Sequence, residues 1–135
     1  MKKVLILCTG NSCRSIMGEA LINKYLKGNN IIAYSAGSRP SGRVNKNAVK
    51  VLKEEKAWDK RYYSKSIDEV SKDKTFDLVV TVCDNAKESC PMFGKNVKTV
   101  HIGFEDPDGK SYKEFVKTKE MIKKRLLPLI KKEFI

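Results

Sequence analysis

Val4-Leu5-Ile6-Leu7-Cys8-Thr9-Gly10-Asn11-Ser12-Cys13-Arg14-Ser15 is an apolar run that breaks into a short polar loop, and a helical pattern from Ile16 to Leu26 follows at once. A buried strand, a tight loop with Gly and Asn and then a helix start is the arrangement that turns backbone N–H groups toward an anion. Two features go beyond an ordinary nucleotide-binding loop. The loop opens with a thiol, Cys8, at the strand end, and it reaches Arg14 after five intervening residues. Thr9, Gly10, Asn11, Ser12, Cys13, Arg14 and Ser15, bent into a half-ring, aim their N–H groups at one centre. Arg14 folds onto the same tetrahedral oxyanion as a planar fork. One loop thereby binds an oxyanion and places a nucleophile beneath it. A bare C-x5-R spacing arises by chance. Between a strand and a helix, with Gly10, Asn11 and Ser15 inside it, the spacing points to chemistry.

Working outward, 135 residues are expected to form a single domain, 1–135, with room for a real core. No apolar run approaches the roughly eighteen residues of a membrane span. The N-terminal apolar run is too short for a signal peptide and ends in the loop, so a cytoplasmic protein is expected. The net charge of +12 comes from lysines spread over the whole chain. The aromatics do not alternate with basic residues as in a stacking platform, so neither a nucleic-acid nor a membrane partner is expected. Cys8, Cys13, Cys83 and Cys90 are too few for a secreted disulfide scaffold. Their C-x4-C and C-x6-C spacings are looser than most structural zinc pairs, so no metal and no cofactor are expected, and catalytic or redox thiols fit better.

The element pattern alternates. Residues 3–8 read as a central strand and 15–27 as a helix with Met17, Ala20, Leu21 and Leu26 inward. A second strand over 31–35 is followed by a loop from Ala36 to Arg43. A helix from Asn45 to Glu54 has Ala48, Val49 and Leu52 inward, and a turn begins at the capping Ser66. Residues 77–82 form a third strand that delivers Cys83 at its carboxyl end, as the first delivers Cys8. Residues 97–102 form a fourth. The last helix, 111–133, buries Phe115, Met121, Ile122, Leu126 and Leu129, and Pro128 is expected to kink or shorten it. Alternation of this kind gives a three-layer α/β domain, a four-stranded parallel sheet of order 2-1-3-4 flanked by helices. The switch point then lies between the first and third strands, where Cys8 and Cys83 end.

A Cys8 nucleophile in an amide cradle attacks a tetrahedral oxyanion whose charge the N–H groups and Arg14 carry. The leaving oxygen needs a proton. Asp106-Pro107, in a turn-rich loop at the same sheet edge, can supply it, with Glu105 and Asp108 as neighbours that could also serve. On spacing alone a simple turn-forming aspartate is an equal reading of Asp106. His101, at a strand end, reads as structural, and Trp58 reads as a cover over the core.

The loop C-T-G-N-S-C-R-S resembles the active-site loop shared by low-molecular-weight protein tyrosine phosphatases and thioredoxin-coupled arsenate reductases. Resemblance to the reductases extends over nearly the whole chain. It takes in Tyr34-Ser35-Ala36-Gly37, Asp77 to Cys83, Cys90-Pro91, Gly103-Phe104-Glu105-Asp106-Pro107 and the last helix. Ile16 and Asp108 stand where the phosphatases usually carry a proline and an aromatic. The resemblance implies a low-molecular-weight phosphatase-like fold and makes Asp106 the general acid. It also implies arsenate as substrate and a relay of thiols. Cys83 attacks Cys8 and releases arsenite, Cys90 attacks Cys83, and thioredoxin reduces the resulting Cys83–Cys90 disulfide. Hydrolysis of phosphate monoesters through a phosphocysteine is the alternative. A monomer is expected.

Four finer expectations follow. Cys13 packs the loop, and Ser15 is placed to hydrogen-bond the Cys8 sulfur. Residues 83–90, if helical when reduced, would span roughly 10 Å, whereas a disulfide needs Cα atoms roughly 4.4–6.8 Å apart, so this segment is expected to rearrange on oxidation. Some of the resembling reductases hold potassium with an Asn, a Glu, a Ser and an Asp. Asn11, Glu19 and Ser35 match here, but Lys65 replaces the Asp. Its ammonium is expected to take the cation's place, bonded to Glu19 and the Asn11–Ser35 network, with no dependence on potassium.

Overall fold

Alternation along the first strand fixes both faces of the sheet. In β1 (Lys2–Cys8), Val4, Ile6 and Cys8 enter one buried cluster, while Leu5 and Leu7 enter another on the opposite side. A strand buried on both faces belongs at the centre of a parallel sheet, and β1 lies there. It pairs in parallel with β2 (Ile31–Gly37) on one side and with β3 (Leu78–Thr81) on the other. β4 (Thr99–His101) continues the sheet beyond β3, giving the order β2-β1-β3-β4. The computed structural model describes residues 1–72, 74–84 and 96–135.

Helices α1 (Arg14–Tyr25), α2 (Lys46–Glu54) and α4 (Tyr112–Phe134) pack together on the Val4/Ile6 face. The short α3 (Ile67–Ser71) covers the other face, where Val70 joins Leu5, Leu7, Phe76 and Val79. Three layers and the strand order agree with the expectation from the sequence. Every residue of α1 from Arg14 to Ile22 is buried, so the apolar stripe read from its sequence is only part of what the helix hides. It is covered by the sheet on one side and by α2 and α4 on the other.

Several details differ from the sequence reading. α4 runs unbroken through Pro128 to Phe134 instead of stopping short. The proline is exposed, and Lys124, whose carbonyl loses its helical donor, is exposed too, so water can satisfy that oxygen. The buried face of α4 is Phe115, Ile122, Leu126 and Ile130. Met121 lies 39% exposed and Leu129 is only half-buried, because Ile122, Leu126 and Ile130 recur every four residues and define the inward stripe. In α2 it is Val51, not Val49, that joins Ala48 and Leu52 inside. Strand β2 extends two residues past the expected end, to Gly37, because Cys8 of β1 still pairs with it.

That extension positions the loop after β1. A Cβ on Gly37 would lie 2.5 Å from Thr9 O and 3.0 Å from both Asn11 N and Asn11 Cβ, so glycine is required for this backbone approach. Gly37→Ala is expected to lower the unfolding free energy by roughly 1–3 kcal/mol, read from urea titrations, and to abolish protection by inorganic phosphate against alkylation of Cys8.

Candidate functional site

The loop 8–15 is shaped from outside by its own carbonyls. Ser38 N–H donates to Cys8 O (3.3 Å), Arg39 N–H to Thr9 O (2.9 Å), Ser41 N–H to Gly10 O (3.0 Å) and Asn45 N–H to Ser12 O (3.0 Å). Ser64 Oγ adds a second bond to Gly10 O at 3.1 Å. In a trans peptide the N–H points opposite to the C=O. Pinning these four carbonyls outward therefore turns the N–H groups of Thr9, Gly10, Asn11 and Cys13 inward. Asn11 N–H accordingly lies 3.3 Å from Cys8 Sγ. The sharp bend needs a left-handed residue, and Asn11, with φ 47°, supplies it. α1 begins directly at Arg14, so its N-terminal dipole faces the same space.

A buried polar chain supports the loop from behind. Lys65 N–H donates to Asn11 Oδ1 at 2.8 Å, which fixes the direction of the amide. Asn11 Nδ2 then donates to Ser15 Oγ (2.7 Å) and Ser35 Oγ (3.0 Å), and Ser35 donates to Glu19 Oε1 (2.6 Å). Because Ser15 Oγ already accepts from Asn11, its hydroxyl proton is free to point at Cys8 Sγ, 2.9 Å away. Glu19, whose direction the sequence left open, thus faces the back of the loop. Burial pushes its carboxyl up to about 7, against the opposing pull of Lys65 and Ser35. Burial likewise lowers the Lys65 ammonium.

The ammonium of Lys65 does not make the contacts expected of it. Its Nζ lies 3.9 Å from Glu19 Oε1, an ion pair rather than a hydrogen bond, and donates to Tyr63 O at 2.9 Å. Asn11 is met by the Lys65 backbone instead. A buried positive charge beside Glu19, and an Asn11 amide held by Lys65 N–H, Ser15 and Ser35, do not fit a resident potassium ion.

On the open side, Arg14 is 3% exposed. Its Nη1 donates to Phe104 O (3.1 Å) and its Nη2 lies 3.5 Å from Asp106 Oδ2. Asp106, roughly half exposed, also accepts from Asp108 N–H at 3.0 Å. Asp108 in turn accepts from Asn45 Nδ2 at 2.7 Å. Cys13 is a free buried thiol whose pKa burial pushes up to about 12. At neutral pH it stays protonated, which suits packing more than redox exchange.

Cys83 is fully buried just beyond the end of β3, next to the end of β1, and is disulfide-bonded. Of the segment expected to rearrange, residues 83–90, positions 85–90, with Cys90, lie outside the described residues. His101 Nδ1 lies 2.7 Å from Thr81 Oγ1, and Trp58 is half-buried against the core with its ring edge-on to Tyr62. No helix among the described residues is long and apolar enough to cross a membrane. The sequence reading did not single out the roles of Gly37, of the Ser38–Asn45 backbone or of the Asn45–Asp108 contact. A conspicuous helix-capping Asn was the one local signal available.

Residues 3–133 match the family described as low molecular weight phosphotyrosine protein phosphatase. The chain belongs to that family. Within the family it is 43% identical over 125 residues to a Bacillus cereus protein named arsenate reductase, covering 93% of this chain and 91% of the relative. An arsenate reductase structure from Archaeoglobus fulgidus superposes with a TM-score of 0.74 at 34% identity, covering 90% of this chain and 96% of the other. A low-molecular-weight protein tyrosine phosphatase structure from T. tengcongensis superposes with a TM-score of 0.77 at 29% identity, covering 98% and 99%. This family member is therefore similar in fold to proteins of both chemistries.

Two outcomes follow from the Glu19–Lys65 pair. Lys65→Met leaves Glu19 buried without its counter-charge, a change worth about 3–5 kcal/mol when the carboxylate is ionised. Below its pKa Glu19 is protonated and needs no counter-charge. The fall in Tm on this substitution is thus expected to be large at pH 8 and clearly smaller at pH 5.5. Exchanging sodium for potassium at equal ionic strength is expected to leave Tm and turnover of the unaltered protein the same.

Proposed function

We propose that this protein is an arsenate reductase regenerated by thioredoxin, acting through Cys8, Arg14, Asp106, Cys83 and Cys90. The observation that carries this reading is the placement of a second cysteine, Cys83, beyond the end of the strand adjacent to β1. A phosphatase needs only water after its first step, whereas a reductase must supply two electrons. High identity to proteins named arsenate reductase supports the same choice.

In this mechanism arsenate enters the ring of inward N–H groups, and Arg14 shares the charge on its oxygens. The Cys8 thiolate attacks arsenic and forms an S–As bond. One arsenate oxygen leaves as water, taking its proton from Asp106, whose carboxylate lies 3.5 Å from Arg14 Nη2. The Cys83 thiolate then attacks the Cys8 sulfur. The S–As bond breaks, its electron pair goes to arsenic, As(V) becomes As(III), and arsenite departs, leaving a Cys8–Cys83 disulfide. The Cys90 thiolate attacks Cys83, Cys8 leaves as a thiolate, and the oxidation moves to a Cys83–Cys90 disulfide. A dithiol of thioredoxin reduces that bond, so each arsenite formed costs one NADPH in a coupled system. A disulfide-bonded Cys83 cannot attack, so reduction must precede each turnover. Ser15 orients its hydroxyl toward the Cys8 sulfur at both steps.

Phosphate has the same shape and charge pattern as arsenate, so slow ester hydrolysis by the same loop is part of the reading. With thioredoxin, thioredoxin reductase and NADPH, addition of arsenate is expected to oxidise NADPH over many turnovers. Cys90→Ser is expected to abolish multiple turnover while still releasing up to one arsenite per chain. A phosphatase would show no arsenate-dependent NADPH loss and an aryl phosphate rate unaffected by that substitution.

A further inference from the structure

Asn45 and Asp108 belong to the two segments that meet the oxyanion loop at Ser12 and Arg14, and they are joined to each other. Asn45 is anchored three times. Its N–H donates to Ser12 O of the loop at 3.0 Å, its Oδ1 caps α2 through Asn47 N–H at 2.8 Å, and its Nδ2 donates to Asp108 Oδ1 at 2.7 Å. Asp108 is anchored by its own N–H to Asp106 Oδ1 at 3.0 Å. Asp106 Oδ2 lies 3.5 Å from Arg14 Nη2 and Asp108 is bonded to Asn45, whose N–H meets Ser12 O, so the acidic segment lies beside the Ser12–Arg14 arc of the ring. A bond from an amide to an ionised carboxylate is charge-assisted and stronger than a neutral one. Neither residue has a part in the chemistry described above.

We infer that the Asn45–Asp108 bridge determines substrate size, favouring bare inorganic oxyanions over organic phosphate esters. This inference rests on the reading of the site as one that takes arsenate. In an in-line attack the leaving oxygen lies opposite Cys8 Sγ, on the side of Asp106. The outer oxygen of arsenate carries at most a proton there. An ester carries its organic group at the same place, and on this inference that group passes between segments 38–45 and 105–109. The bridge ties those segments together at that gap. Neither segment carries an aromatic side chain that could grip a ring; they present Ser38, Arg39, Ser41, Arg43, Glu105 and Asp108 instead. The bridge thus hinders the larger substrate sterically, and these two segments offer it no aromatic contact in exchange.

The test replaces each partner separately. Asn45→Ser keeps a helix-capping oxygen but removes the bridging donor. Asp108→Ala removes the acceptor from the other side, so the idea can be tested even if one variant folds poorly. Steady-state hydrolysis of p-nitrophenyl phosphate and thioredoxin-coupled arsenate reduction are measured for the unaltered protein, both variants and the double variant. Each single variant is expected to raise kcat/KM for the aryl ester about tenfold, the scale of one charge-assisted hydrogen bond. The gain should appear mainly as a lower KM, and the ratio of ester to arsenate kcat/KM should rise. The double variant should gain no more than either single one, since both break the same contact. An ester rate that stays level, or that falls in parallel with arsenate reduction, would show that the contact only holds the Asp106 loop in place and would overturn the inference. Additive gains would overturn it too, because the two residues would then act separately. If the unaltered protein fails to reduce arsenate while kcat/KM for the aryl ester still rises in the variants, the reductase reading fails and the size restriction stands.

Discussion

Four backbone hydrogen bonds, from Ser38, Arg39, Ser41 and Asn45 to the carbonyls of Cys8, Thr9, Gly10 and Ser12, are the constraint on which this site depends. An oxyanion ring requires its amides to converge, and amides converge only if something holds their carbonyls apart. Here a neighbouring segment, running from the end of β2 to the start of α2, does so. Its approach is close enough that Gly37 admits no side chain. The loop is therefore a property of two segments and not of the eight residues that carry its chemistry.

A second layer of constraint lies behind it. Asn11 joins Lys65, Ser15 and Ser35, and Ser35 leads on to Glu19 and its buried ion pair with Lys65. A buried network of this kind is costly when any member is missing and rigid when all are present. It orients the Ser15 hydroxyl at the Cys8 sulfur and gives the left-handed Asn11 no freedom to relax. Rigid support of this sort is what a site acting by preorganised dipoles needs, because dipoles that must reorient toward the bound charge give up part of the stabilisation they offer.

On the open side the arrangement is looser and more exposed. Arg14 is held by Phe104 O and Asp106, and Asp106 by Asp108, so the acid, the guanidinium and the rim form one connected set. A shared fold explains why the chain resembles phosphatases and reductases alike. Under the function proposed above, the ring, Arg14 and Asp106 serve either chemistry, and what separates the two is the content of neighbouring strand ends and the shape of the rim.

Much of this could be read along the chain. Unbroken apolar runs ending in cysteines gave parallel strands with two thiols at one edge, and C-x5-R between strand and helix gave an oxyanion loop with its nucleophile. Those features are local: they depend on the order of residue types over fewer than about fifteen positions. Other features could not be read that way. The unbroken α4 through Pro128, the exposed Met121, the direction of Glu19 and the meeting of Lys65 with Tyr63 depend on which surfaces other elements cover. The Asn45–Asp108 contact joins residues sixty-three positions apart. No periodicity records such a pair. The sequence by itself determined the sheet, the loop and the chemistry the loop can hold, because local residue patterns specify strands, turns and nucleophiles. Only the tertiary structure decided what supports the loop and what borders it, because hydrogen bonds between distant segments form only once the packed core has brought them within reach.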